Sequence, residues 1–430
     1  MIDIKLIREN PGIFKANNKK KGRDAKIIDR VLEFDEKWRK LKFEADNLRK
    51  ERNQISENIN QFKKQKKNVS ELLKKAKEIP KKLEKTEEWE QKMQKLLNEE
   101  IRKIPTLMEK NVPIGKSDKD NVVRKIVGKP AKFNFKPKNH VELAESLNIA
   151  DFDSAAEIAG KGFYYLKNEL GLLNRALINF AIDFMKKKNY NYIEPPLMMT
   201  KKIAAAAGDL KAFELALYKI DREEIYLIPS AEHAILGMFS DKEIKEENLP
   251  LKFFGYSMCF RKEIGSHGIN EKGLWRTHQF NKVEQFIFCK PEDSWKYYEE
   301  LKKNSEEILQ ALELPYRIIE ICTGDLGDWK AKSEDLEVYR PTTKTYGEVM
   351  SLSNCWDSQA RELNIRGVNK KGERYVLHTL NNTALATSRI MVAILENNQN
   401  KDGSINIPKV LQPYMSGMKK IEVKNGERKK

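Results

Sequence analysis

The chain has 430 residues, a formal charge of +17 and 34% charged residues. That length predicts two domains. No apolar run approaches the ~20 residues a spanning helix needs, which excludes a membrane-embedded protein. The four cysteines and five histidines are scattered, without CxxC spacing. This gives no zinc site and suits a reducing cytoplasm, where we expect the protein. The N-terminal residues lack the basic stretch and long apolar core of a signal peptide. The basic excess points first to nucleic acid as partner, although solubility alone accounts for the same charge.

Residues 27 to about 107 predict two long helices. Ile27, Val31, Phe34, Trp38, Leu41, Ala45, Leu48, Ile55 and Ile59 recur in steps of four and three, broken only by Arg52. That is a coiled-coil seam. A second series runs Val69, Leu72, Ala76, Ile79, Leu83, Met93, Leu97, Ile104 and Leu107, with Glu90 and Glu100 on the seam and Pro80 expected to kink or break it. Between them lies the basic stretch from Gln61 to Asn68, short enough for the helices to fold back as an antiparallel hairpin. Each arm would project roughly 50–60 Å. A heptad seam equally serves dimerisation; the intervening loop favours pairing within the chain. Lys63, Lys64, Lys66 and Lys67 at the tip suit phosphate neutralisation, and a solvated face explains them almost as well.

Gly115 to Asp120 reads as a linker, which divides the chain into 1–115 and 116–430. Beyond it prolines, glycines and aromatics mix with short β-rich runs. Tyr192-Ile193, Ile225–Ile228, Phe253–Phe260, Val283–Phe288 and Tyr316–Ile321 predict strands; Leu172–Lys187 and Leu385–Glu396 predict helices. There is no GxGxxG or P-loop and no regular βα alternation. The fold class is therefore α+β: a helical hairpin, then a domain with a mostly antiparallel sheet.

The richest segment is Cys259-Phe-Arg-Lys-Glu-Ile-Gly-Ser-His-Gly268 followed by Gly273-Leu-Trp-Arg-Thr-His-Gln-Phe-Asn-Lys-Val-Glu284. It predicts strand, long loop, strand. Arg261 and Glu263 share one strand face; on the return strand Phe280, Lys282 and Glu284 share one, and Thr277, Gln279, Asn281 and Val283 the other. A guanidinium, a carboxylate and an aromatic ring suit a phosphate-bearing aromatic ligand; a surface salt bridge uses the same residues. Trp275 and Trp356 read as core. His233, His267 and His278 read as hydrogen-bonding or packing residues rather than acid–base catalysts.

These segments resemble motif 2 of the class II aminoacyl-tRNA synthetases in their seryl form. Other landmarks follow in order. Asn191-Tyr-Ile-Glu-Pro-Pro196 is similar to motif 1, whose proline ends a strand at a dimer interface. Ile228-Pro-Ser-Ala-Glu-His233 resembles the serine-binding Thr-x-Glu loop, with Ser230 in place of the threonine. Glu348-Val-Met-Ser351 resembles the metal and nucleotide strand, and His378 to Arg389 resembles motif 3, with its arginine on a helix. Ile321-Cys-Thr-Gly-Asp-Leu-Gly327 looks closest to archaeal forms.

The resemblance implies a serine–tRNA ligase that uses ATP and Mg²⁺, acts as a homodimer without membrane attachment, and charges serine tRNA and, where present, selenocysteine tRNA. It implies that Arg261 and Arg389 are catalytic. Ser230, Ala231, Glu232, Arg261, Glu284, Asn381 and Thr383 would bind serine. Arg261, Lys262, Glu263, Thr277, His278, Gln279, Phe280, Glu348, Val349, Met350, Ser351 and Arg389 would bind ATP, and Glu348 and Ser351 the metal. Lys63, Lys64, Lys66, Lys67 and Lys272 would contact tRNA. Two departures stand out. Ile269-Asn270 replaces an Arg-Asp pair facing the tRNA, with Lys272 as a substitute cation. Tyr339-Arg-Pro-Thr-Thr-Lys344 differs from the usual small and amide residues after the proline. A relative that loads an amino acid onto another acceptor would not need the hairpin. A non-catalytic binding module would not need Arg261, Glu263, Glu348 and Arg389, and a coiled-coil scaffold explains only the first quarter of the chain.

Overall fold

The computed structural model describes residues 2–206, 215–263 and 272–423. The chain divides into two compact units, Met1–Leu107 and Met108–Lys430.

In the first unit two short helices, α1 (Ile4–Glu9) and α2 (Pro11–Lys20), precede the long α3 (Ile27–Lys64) and α4 (Ser70–Ile101). Val31, Ala45 and Ile55 of the α3 seam are buried, as are Ile79, Leu83 and Leu97 of the α4 seam. Ile7 and Phe14 from the short helices close the base of the hairpin against Ile27, Ile28, Ile101 and Ile104. Thr86 is buried in the stretch where the apolar series lapses between Leu83 and Met93. The expected break at Pro80 does not occur, and α4 runs through it. Proline forfeits one backbone bond, but Pro80 lies on the exposed side while Ile79 and Leu83 stay packed. Residues 65–69 make the turn, with Lys66 in the left-handed region at φ 53°. With 38 residues, α3 is about 57 Å long.

Asp35 is fully buried yet lies off the apolar seam. Arg8 of α1 grips it with two bonds of 2.6 and 2.7 Å, and Arg39 adds one of 3.0 Å. This fork pins α1 to α3, because a desolvated carboxylate needs such partners.

The second unit is built on eight strands: β1 (Val122–Val127), β2 (Asn191–Ile193), β3 (Leu251–Phe260), β4 (Gln279–Cys289), β5 (Tyr316–Glu320), β6 (Lys332–Arg340), β7 (Thr345–Trp356) and β8 (His378–Ala386). Their order is β1-β5-β6-β7-β8-β4-β3-β2, antiparallel throughout except for the β2–β3 edge. Four helices matter here: α5 (Asn168–Lys187), α6 (Ala231–Gly237), α7 (Ser294–Ala311) and α8 (Thr387–Asn397). Strands β1, β6, β7 and β8 complete the sheet beyond the strands predicted above. The helix predicted from Leu385 starts two residues later; Leu385 and Ala386 end β8, where both are buried.

On one face α7 lies against the sheet through an amide network. Asn382 donates to the Leu301 carbonyl and to Ser305 Oγ at 2.8 Å each, and Asn304 donates to Gln285 at 2.9 Å. Their strand neighbours Asn381, Thr383 and Glu284 therefore point to the opposite face. The supposed linker is not free: Gly115 N–H donates to Thr323 Oγ1 at 3.2 Å, and a Cβ on Gly115 would overlap Asp120 and Cys322. Among the described residues, no helix is long and apolar enough to cross a membrane.

Removing the Arg8 fork leaves the Asp35 carboxylate buried with one cation. Arg8→Met should lower the opening free energy of Ile4–Glu9 by about 2 kcal/mol, read as faster amide exchange in the full chain. Unchanged exchange there would show that the fork does not hold α1.

Candidate active site

A cavity of about 480 Å³ opens on the free face of the sheet. Alternation along β4 turns Phe280, Lys282 and Glu284 into it, while Val283 is buried in the core and Asn281 bonds to Tyr256 at 2.9 Å on the far side. Strand β8 brings Asn381 and Thr383, and α8 begins with Ser388 and Arg389 at the rim.

Strand β7 needs an irregularity to contribute. Glu348 and Ser351 are three residues apart, so plain alternation would put them on opposite faces. The register against β6 slips there, pairing Leu336 with Met350 but Glu337 with Glu348. Val349 is the extra residue, and this bulge brings Glu348, Val349 and Ser351 all to the cavity. A second slip between Thr383 and Leu385 does the same for Thr383 and Ala386.

Arg261 and Glu263 lie just past the end of β3, not on it, and Glu263 has φ 52°. Arg261 keeps the ladder with a backbone bond to His278 at 3.0 Å. Its Nε donates to the Pro229 carbonyl at 3.2 Å, and the guanidinium lies 5.3 Å from the Phe280 ring centroid. Glu263 faces Arg276 at 3.4 Å. Arg389 donates to the Glu348 carbonyl at 2.8 Å and pairs with the carboxylate at 3.1 Å.

The carboxylates differ in what balances them. Burial pushes Glu284 above the usual carboxylate range; the Lys282 ammonium in contact with it opposes that, and Glu232 adds to it. Lys282 also reaches Ser230 Oγ at 3.4 Å. For Glu348 burial is again the largest effect, but Arg389, then Arg261 and Lys330, outweigh it and hold the group ionised. Asp335, the cross-strand neighbour of Ser351, is pushed up by burial and by the Glu348 charge. Glu232 accepts from Gln359 at 2.7 Å and from Asn381 at 3.0 Å, while Ser230 caps α6 through the Glu232 N–H at 3.3 Å. His233 is driven down to about 3 by burial, with Arg261 and Lys282 adding to it. It stays neutral at working pH.

The cavity thus unites Arg261, Arg389, Ser230, Glu232, Glu284, Asn381, Thr383, Glu263, Thr277, Phe280, Glu348, Val349 and Ser351. Five expected residues send their side chains elsewhere. Ala231 is buried in α6, where a Cβ on Gly255 would press on it. Met350 is in the core, as the bulge dictates. Lys262 lies over the Tyr218 ring, 5.9 Å from its centroid. His278 bonds to Tyr218 at 2.9 Å and stacks on Phe163, and Gln279 reaches Met258. Lys272 is exposed and pairs with Glu145 and Asp153 at 2.6 and 2.7 Å. Ile269, Asn270 and His267 lie outside the described residues. Lys63, Lys64, Lys66 and Lys67 are all exposed at the hairpin turn.

Several cavity residues escaped the sequence reading. Trp275 packs against the core and also lines the cavity, where Arg276, Asp325, Lys330 and Asp335 join it. Lys282 was legible, since it shares parity with Glu284. Asp335 was not, because only strand pairing brings it to Ser351.

Asp335, Glu348 and Ser351 suit a hard divalent cation. They offer oxygen donors alone, Asp335 Oδ1 is buried without a hydrogen-bond partner, and the two carboxylates raise each other's energy.

The class II tRNA synthetase core domain shared by glycine, histidine, proline, serine and threonine enzymes matches residues 214–398. The seryl-tRNA synthetase N-terminal domain matches residues 1–108. The serine–tRNA ligase of Methanocella arvoryzae is 44% identical over 97% of this chain and 99% of its own length. That of Pyrococcus abyssi is 43% identical over 100% of this chain and 99% of its own. The crystal structure of seryl-tRNA synthetase from Pyrococcus horikoshii complexed with ATP superposes with a TM-score of 0.93 at 42% identity, covering 98% of this chain and 99% of that one.

Lys282 is the cation that opposes the burial of Glu284. In Lys282→Met burial and the Glu232 charge are opposed only by the weaker pull of Arg261, so the carboxyl should titrate at still higher pH, and its ionised form should appear only as pH rises further. Infrared difference spectroscopy of the carboxyl band, with Glu284→Gln as the reference, reads this. An unmoved titration would mean that Lys282 does not set the charge of Glu284.

Proposed function

This chain belongs to the seryl-tRNA synthetase family, and from that premise we propose how its cavity performs the family's reaction. The protein is a serine–tRNA ligase: serine and ATP give seryl-adenylate and pyrophosphate, and the seryl group then passes to the 3′-terminal adenosine of serine tRNA. The observation that carries our reading is the place of Arg261. It lines the cavity with its Nε on the carbonyl of Pro229, the residue before Ser230, and its guanidinium 5.3 Å from the centroid of the Phe280 ring. A guanidinium there can hold a carboxylate and an α-phosphate together, which is the geometry of the first attack.

Around that centre each side chain has work it can physically do. Glu232, oriented by Gln359 and Asn381, accepts from the serine ammonium with Ser230 beside it. Glu284 and Thr383 meet the serine hydroxyl; leaving them dry and unpaired is what would reject alanine. Phe280 offers its face to adenine and Glu263 accepts from the adenine amino group. Arg389 closes on the nucleotide from the helix side. Glu348 and Ser351, with Asp335 beside them, would hold Mg²⁺, which when bound offsets phosphate charge. Neither step requires a protein nucleophile; a serine carboxylate oxygen attacks the α-phosphorus and pyrophosphate leaves, then a ribose hydroxyl attacks the acyl carbon and AMP leaves. Positioning and fixed positive charge supply the catalysis.

We assign the first unit to tRNA, with Lys63, Lys64, Lys66 and Lys67 meeting its phosphates. We also propose a cytoplasmic homodimer. The edge strand β2 carries the motif 1 segment, and Leu172, Tyr192, Leu197 and Met198 nearby in sequence are exposed apolar residues that a closed two-fold interface would cover.

Two measurements bear on this. Arg261→Ala should slow serine-dependent ATP–pyrophosphate exchange by about 10²–10³-fold, since the central fixed cation is lost; near-normal exchange would remove the assignment. Changing the four tip lysines to glutamine should leave exchange intact but weaken tRNA binding. The slope of log K against log salt should become shallower by about 0.7–0.9 for each phosphate that is no longer neutralised. An unchanged slope would return the tip to a solvated role.

A further inference from the structure

Trp275 is held against the cavity wall by a network that joins two arginines. Its ring crosses Gly347, where a Cβ would overlap the indole, so it lies on the strand that carries Glu348. The Arg340 guanidinium is 4.4 Å from its centroid and that of Arg389 is 5.5 Å away. Arg389 Nε also faces the Trp275 carbonyl at 3.4 Å.

Arg340 lies outside the cavity lining and is seated by Glu396, which is fully buried. Arg340 donates to both carboxylate oxygens at 2.8 and 3.3 Å, and the Thr342 hydroxyl donates at 2.9 Å. The His140 ring completes the set. Its Nε2 accepts from the Leu274 N–H at 3.1 Å, so Nδ1 carries the proton and donates to Glu396 at 3.1 Å. Leu274 is the residue before Trp275. Glu396 in turn follows Arg389 by seven residues on α8, two turns along the same face. Thr342 is among the residues after Pro341 that depart from the family pattern.

We infer that Arg340, seated by Glu396, is a positioning residue for Arg389: it clamps Trp275 across Gly347 and so fixes where the Arg389 guanidinium stands in the cavity. Two guanidiniums would repel each other directly. The indole face attracts both, and the Glu396 carboxylate offsets the added charge. The inference rests on the reading of Arg389 as a nucleotide contact.

The test is ATP–pyrophosphate exchange by Arg340→Met, made in the parent and in Arg389→Ala. In the parent the KM for ATP should rise ~10-fold, while the KM for serine stays within about two-fold. In the Arg389→Ala background the same change should add less than about two-fold, because the effect travels through Arg389. Trp275→Phe, a smaller ring in the same place, should give the same ATP-selective rise and serves if Arg340→Met folds poorly. An unchanged KM for ATP, an equal rise for both substrates, or an equal cost in both backgrounds would overturn the inference. If Arg389→Ala itself leaves the KM for ATP unchanged, the nucleotide reading of Arg389 fails and takes this inference with it.

Discussion

The carboxylates set deepest in the cavity, Glu284 above all, have been taken out of water and must meet a cation or donor within a few ångströms. Glu284 meets Lys282 two residues back on its own strand, and Glu348 meets Arg389 from the neighbouring helix. Glu232 takes two amide N–H groups, and Glu263 faces Arg276. Apart from Lys282, these partners come from other strands, helices and loops. The charges therefore balance only when the whole sheet is in register, and the site and the fold are specified together.

The bulges follow from that demand. A regular strand offers every second side chain to one face, which gives Phe280, Lys282 and Glu284 from β4 without distortion. Strand β7 has to supply a carboxylate and a hydroxyl three residues apart, and only an extra residue re-phases it. The same slip sends Met350 into the core between the sheet and its helices. On the far face, α7 satisfies Asn382 and Gln285 with its own polar groups. Polar residues thus occupy both sides of β8, a pattern that no strand periodicity announces.

This explains what could be read from the sequence. The hairpin was legible because its seam has one period over many turns and each arm needs only the other. The β4 residues were legible by parity. Strands β6, β7 and β8 were harder: Ser333, Asp335, Ser351, Asn381 and Asn382 break the apolar alternation because they serve the cavity or the helix behind it. Leu385 and Ala386 looked helical because alanine and leucine favour helices, yet burial in the sheet overrides that preference. That Trp275 lines the cavity as well as packing on the core was not legible, because nothing local shows that Gly347 has cleared a place for it beside Arg340. Pro80 looked like a break because the missing N–H is local, whereas the packing that sustains α4 is not.

The two units use charge in opposite ways. Along the described cavity wall Arg261, Arg276, Lys282, Lys330 and Arg389 face Glu232, Glu263, Glu284, Asp325, Asp335 and Glu348, so carboxylates exceed cations by one. A bare nucleotide polyphosphate gains little from such a wall as a whole. It would gain much from single guanidiniums placed at its phosphates, and more if a divalent cation offset Glu348 and Asp335. Selectivity then comes from where each charge stands in a medium of low dielectric, which dissolved salt barely screens. The hairpin tip holds four exposed lysines around a turn, in water, with no buried partner to orient them. Such charges act by number and are screened within about 10 Å at ordinary ionic strength. They can follow a phosphate backbone whose exact path varies, which is what the surface of a folded RNA presents. A small substrate needs the first arrangement, and the second would suit a large polyanion such as the tRNA proposed for the tip.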